Sequence, residues 1–176
     1  MVDLESIFLN LSQSLGPVQA LITGLGYLIG LSFLVIALFK FKKIGDSRVQ
    51  SQSQEKMFVP TAFVVMGAGL IFLPSALSTM SNTFFGSNNV LAYSPDTGNA
   101  LTNAIELFIQ TAGVLWFVRG SVLLAQSSEP GAKEGSKGLA FIVAGILALN
   151  FDATTSAVGA MLDHLFSLLG SARSDT

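Results

Sequence analysis

The sequence predicts an all-α, polytopic membrane protein: four transmembrane helices arranged as two tandem hairpins, with interfacial amphipathic helices. Three observations predict it. The 176-residue chain is 51% hydrophobic and only 11% charged, with a mean hydropathy of +0.63. Soluble domains carry about 25% charged residues, and so few charges cannot cover a water-soluble core built from this much apolar side chain. Apolar runs of about the 20 residues that a bilayer core requires recur along the chain. Seven of the nine Lys and Arg sit in or at the edges of two short segments, 40–56 and 129–137, each between two apolar runs.

Each element follows in order. Leu4, Ile7, Phe8, Leu11 and Leu15 recur at helical spacing among polar residues. This predicts a short amphipathic helix, lying in the membrane interface or packed on the protein's own spans. Gly16-Pro17 is expected to break it and start the next helix. Residues 1–17 hold Asp3 and Glu5 but no Lys or Arg, so a signal peptide's positive region is missing; the first apolar run is expected to stay as a span. Span one is Val18–Phe39, uncharged, with a polar loop Lys40–Met57 behind it. Span two is Phe58–Leu77, with Pro60 near its start and Pro74 expected to kink or end it. A polar segment follows, with Phe84, Phe85 and Tyr93 as candidate interface anchors. Span three is Ala104–Leu124, with Glu106 and Arg119 able to snorkel. The loop Gln126–Gly138 leads to span four, which is apolar from Leu139 to Leu149 before Asn150 and Asp152. It is either one long helix leaving the bilayer near Asp152 or a short span joined to an interfacial helix.

Taken together these form a single membrane domain over 1–176. It divides into a first hairpin with its N-terminal helix (1–86), an external polar loop (87–103) and a second hairpin with a C-terminal amphipathic helix (104–176). Lys40, Lys42, Lys43, Arg48 and Lys56 in the first basic loop, and Lys133 and Lys137 in the second, predict that both loops are cytoplasmic. Both termini and the central loop are then external, periplasmic in a Gram-negative cell. The five basic residues of the first loop also suit contact with anionic lipid.

The hairpins resemble each other. Ala68–Pro74 aligns with Ala144–Asn150 at an offset of 76, and Leu21-Ile22-Thr23 aligns with Ile109-Gln110-Thr111 at 88. This is a parallel repeat or a chance likeness between apolar helices. Small residues mark candidate packing faces: Gly26 and Gly30, a Gly-x-x-x-Gly pair, with Gly67, Gly69, Gly145 and Gly159. They let helix backbones approach closely, within one chain or between subunits. Asn150 and Asp152 are the candidates for a buried polar role, because an ionisable group at membrane depth usually faces protein or water. For Asp152 the alternative is an interface position at the start of the following helix.

Catalytic chemistry is not expected. The chain has no Cys and one His, His164, whereas zinc usually takes three or four protein ligands. Asp163 and His164 are adjacent and so point apart on a helix. Phosphate-binding and hydrolase motifs are missing, and no nucleophile is paired with a base. No cofactor and no metal is expected. A net charge of −2 implies no general affinity for nucleic acid.

The run LGPVQALITGLGYLIGLSFLVIALFKFKKIG (Leu15–Gly45), followed by GAGLIFLPSALSTMSNTFFG (Gly67–Gly86) and AGILALNFD (Ala144–Asp152), resembles the IcmC/DotE family of type IVB secretion systems. It is similar also to the related TraQ proteins of IncI-type conjugative plasmids. The resemblance implies a small inner-membrane component of a bacterial machine that exports protein or DNA. The implied partners are membrane lipids, other copies of the chain and other secretion-system subunits, with transported DNA or protein as cargo. It implies no catalytic residues. Two other readings stay open. One is a pilin-like filament or pore subunit with its basic loops lining a lumen, since each hairpin has a pilin's layout of span, basic loop and small-residue-rich span. The other is a small ion-coupled transporter using Asp152 and Asn150.

Overall fold

The computed structural model describes residues 4–49, 57–86 and 100–174, and all regular structure among them is helical. Six helices follow in order: α1 (Leu4–Val49), α2 (Phe58–Ile71), α3 (Leu73–Phe85), α4 (Ala100–Ser127), α5 (Gly135–Leu149) and α6 (Phe151–Ser174). α1 pairs with α2 and α4 with α5, giving two hairpins, and α4 also packs against α1 and α2. Two helices, over Gly16–Asp46 and Ala104–Ser127, are each long and apolar enough to cross a membrane. The number rises to four if each bent pair, α2 with α3 and α5 with α6, counts as one span.

Gly16-Pro17 does not break the chain. α1 continues through Pro17 as one helix of 46 residues, about 69 Å long at 1.5 Å per residue. Proline removes one hydrogen bond and crowds the carbonyl four residues back, which bends a helix without ending it where water does not compete for the freed group. A separate N-terminal interfacial helix is therefore not what the structure has. Residues 40–49, expected in the first loop, continue α1, so Lys40, Lys42, Lys43 and Arg48 are helical. Lys56, Tyr93 and most of the expected external loop lie outside the described residues. The last residues of that loop, from Ala100, already belong to α4. At the second basic loop α5 starts at Gly135, four residues before the expected span.

Span two is not straight to Leu77. The chain turns by 97° between α2 and α3 at Phe72. Pro74 stands in the first turn of α3, where its missing N–H is harmless; in a continuous helix it would leave Leu70 O without its donor. The second hairpin makes the matching turn, 96° at Asn150 between α5 and α6. Of the two forms expected for span four, the structure has the short helix joined to a second one.

The core sits on the seam between hairpins. Leu70, Leu73, Leu77 and Val114 are almost fully buried there, with Phe117, Ile142, Ile146 and Leu149 around them. Phe33 and Phe63 meet edge to face at 5.3 Å between centroids, a favoured aromatic geometry. The outward faces are apolar as well: Leu21, Leu28, Leu38, Phe39, Phe108 and Trp116 are exposed. A long helix apolar on all sides suits a lipid surround.

Candidate functional site

The feature that organises the molecule is a set of glycine contacts within the hairpins. A Cβ built on Gly30 would lie 2.7 Å from the Gly67 carbonyl oxygen, and one on Gly67 would lie 3.0 Å from that of Gly30. In the second hairpin the same holds for Gly113 and Gly145, at 2.9 Å and 2.7 Å. Gly120 and Gly138 repeat it at 2.8 Å and 3.1 Å. No side chain fits between the backbones at these crossings. Dispersion and Cα–H···O contacts then hold helices together where lipid removes the hydrophobic drive.

These contacts give the register of the repeat. Gly30 with Gly67 matches Gly113 with Gly145, offsets of 83 and 78 positions. Phe63 and Phe141 are also 78 apart, and each carries a cation over its ring: Lys40 Nζ at 5.2 Å and Arg119 Cζ at 5.4 Å. The bends at Phe72 and Asn150 share that offset. The alignment at 76, which equated Gly69 with Gly145, is therefore off by two residues. Gly145 is pressed against a backbone, whereas nothing lies within 4 Å of a Cβ built on Gly69. Similarity among apolar residues drawn from a small alphabet misplaced the register.

Of the sequence-predicted packing residues, Gly30, Gly67 and Gly145 meet another helix's backbone, and Gly26 faces the Leu73 side chain at 3.3 Å. Gly69 and Gly159 face open space. Gly113, Gly120 and Gly138 were not singled out in the sequence. The signal for them was spacing: Gly113 and Gly120, and Gly138 and Gly145, are each seven residues apart, nearly two full turns and so one face.

Polar contacts pin the two hairpins at both ends. At one end Lys40 Nζ and Glu129 Oε1 form an ion pair at 2.9 Å. Toward the other, Gln19 Nε2 donates to Thr111 Oγ1 at 3.1 Å, and the buried Ser81 hydroxyl donates to Asn150 Oδ1 at 2.6 Å. Along α1 and α4, Gln19 meets Thr111 and Gly26 meets Val118, so the contacts advance in the same chain direction and the two helices run parallel. The C-terminal ends of α1 and α4 therefore lie at one end of the molecule and both bends at the other.

Asn150 and Asp152 part company. Asn150 is half-buried and bridges the hairpins, its Nδ2 donating to Ile146 O at 2.9 Å. Asp152 is exposed in the first turn of α6, where a carboxylate complements the helix dipole; it is not a buried polar group. Asp163 and His164 are exposed on α6. Lys42, Lys43, Lys133 and Lys137 are exposed, with Lys137 Nζ 3.6 Å from Glu134 Oε1. Glu106 accepts from Gln110 Nε2 at 3.0 Å. Among the described residues no group of three or more His, Cys, Asp or Glu could hold a metal ion. The geometry offers close helix packing and a paired, polar-pinned seam. No family model, curated protein or solved structure matches the chain.

Proposed function

We propose that this chain is a non-enzymatic structural subunit of a type IVB secretion or conjugative DNA-transfer apparatus in a bacterial inner membrane, acting through helix packing in an oligomer. The observation that carries the reading is the pair of runs Leu15–Gly45 and Gly67–Gly86, with their likeness to small inner-membrane components of such machines. The packing agrees with it in kind. The close glycine contacts are used to build the chain's own hairpins, and broad apolar faces on α1 and α6 are left for lipid and neighbouring subunits. The ion-coupled alternative started from a buried Asp152, and that carboxylate is exposed. Deleting the gene in a donor strain should abolish transfer and leave growth intact; normal transfer by the deletion strain would refute the proposal.

In this reading all four spans are embedded, α3 and α6 lie along the outer interface, and the basic ends face the cytoplasm. The chain has no native Cys, so single cysteines report sidedness cleanly. Thr83→Cys should react with an impermeant maleimide from outside intact cells, and Ala132→Cys only after lysis. The reverse pattern would invert the orientation.

A further inference from the structure

At the basic end of the seam the hairpins do not close on each other. They leave an open cavity of about 520 Å³, within the size range of small-molecule sites. One wall is apolar, made by Phe33 and Ile36 of α1 and Phe63 of α2. The other is charged, made by Lys40, Glu129 and Glu134. Ile36 is 38% exposed, and Val35 beside it in the chain is 50% exposed, so the apolar wall continues onto the outer surface of α1.

We propose that this cavity seats one phospholipid whose headgroup carries a primary ammonium, with its phosphate at Lys40 and its ammonium at Glu129 and Glu134. The proposal needs only the membrane placement and stands apart from the secretion reading. The charge pattern selects the headgroup. Two carboxylates and one ammonium line the cavity, so a purely anionic headgroup would meet net repulsion. A headgroup with a phosphate and an ammonium has a partner for each sign. Lys40 has three N–H donors, and one goes to Glu129. The Phe63 ring lies 5.2 Å from Nζ and holds the cation at the cavity wall. A primary ammonium donates three hydrogen bonds to carboxylates, whereas a quaternary choline donates none. Glu134 is also 3.6 Å from Lys137, but both side chains are more than half exposed, and such a pair is worth little. An acyl chain leaving the headgroup meets Phe33 and Ile36 and then the exposed apolar face of α1.

The test is reconstitution of the full chain in bilayers holding equal parts of dioleoyl phosphatidylethanolamine, phosphatidylcholine and phosphatidylglycerol, then detergent release and native mass spectrometry. One phosphatidylethanolamine per protomer should be retained about tenfold over either other lipid, the scale of one charge-assisted contact. Glu134→Gln should erase most of that preference, while Lys137→Ala, outside the cavity lining, should keep it. Should Glu134→Gln fail to elute as a folded species, Ala132→Trp fills the same cavity without removing a charge and should release the lipid. Equal retention of phosphatidylcholine or phosphatidylglycerol, or wild-type retention by the folded Glu134→Gln or Ala132→Trp protein, would overturn the proposal.

Discussion

The two hairpins reach one shape by different means. In the second, α4 and α5 touch backbone to backbone twice, at Gly113 with Gly145 and at Gly120 with Gly138. In the first, only Gly30 with Gly67 does so. Seven residues along each helix, the positions matching Gly120 and Gly138 hold Ala37 and Pro60, both fully buried. Their bends differ as well. The first has Pro74, which has no N–H to donate to Leu70 O four residues back. The second has no proline, and side chains add hydrogen bonds at its bend: Asn150 Nδ2 on Ile146 O and Thr154 Oγ1 on Leu147 O, each at 2.9 Å. A hairpin of this kind needs a missing side chain at one crossing and a satisfied backbone at one bend. Which residues supply them is open to exchange.

Five single substitutions and one double-mutant cycle test that comparison. Gly145→Val should have the largest effect, because its Cβ would lie 2.7 Å from Gly113 O and 2.9 Å from Phe117 N, both backbone atoms that cannot move alone. The helices must separate, at about 3 kcal/mol, the upper end of the overpacking range. Gly69→Val, with open space around it, should change stability by less than about 0.5 kcal/mol. Steric-trap or reversible SDS unfolding reads both, and equal effects would dissolve the distinction between crossing and outward glycines. Asn150→Leu should cost about 1–3 kcal/mol, since it removes two side-chain hydrogen bonds, one from the buried Ser81 hydroxyl and one to Ile146 O. The corresponding change at the first bend, Phe72→Leu, removes no hydrogen-bonding side chain and should be much milder by the same assay. A small effect is also expected from Lys40→Ala. Its ion pair with Glu129 is partly exposed, at 28% and 47% for the two side chains, so less than about 1 kcal/mol is lost. A double-mutant cycle with Glu129→Ala should give a coupling in that range.

The hairpin plan was legible because long uncharged runs and clustered lysines are one-dimensional signals. Pro74 announced a bend within two residues of where it falls, because proline's constraint is local. The bend at Asn150 was not resolved from sequence: an asparagine ends a helix only where its amide finds the right carbonyl, which depends on the fold. Gly16-Pro17 misled for the opposite reason. A local breaker was overridden by the helical tendency of the runs on both sides. The seam was the least legible part. Ser81 with Asn150 and Lys40 with Glu129 are 69 and 89 residues apart in sequence, and no periodicity brings them together. Asp152 drew notice for its charge alone, and its exposure followed from a bend that the sequence left undecided.

The brevity of α2 and α5 sets a demand on their surroundings. At 14 and 15 residues they reach only about 21–22 Å, against a hydrocarbon thickness of about 30 Å. With α2 and α5 embedded as in the proposed four-span reading, the turns at Phe72 and Asn150 would end each helix about 8 Å short of the far surface. Lipid on that flank would then thin and draw headgroups and water inward to meet the chain. In that placement one side of the protein carries a dimple in the bilayer, whereas the side formed by α1 sits in membrane of full depth.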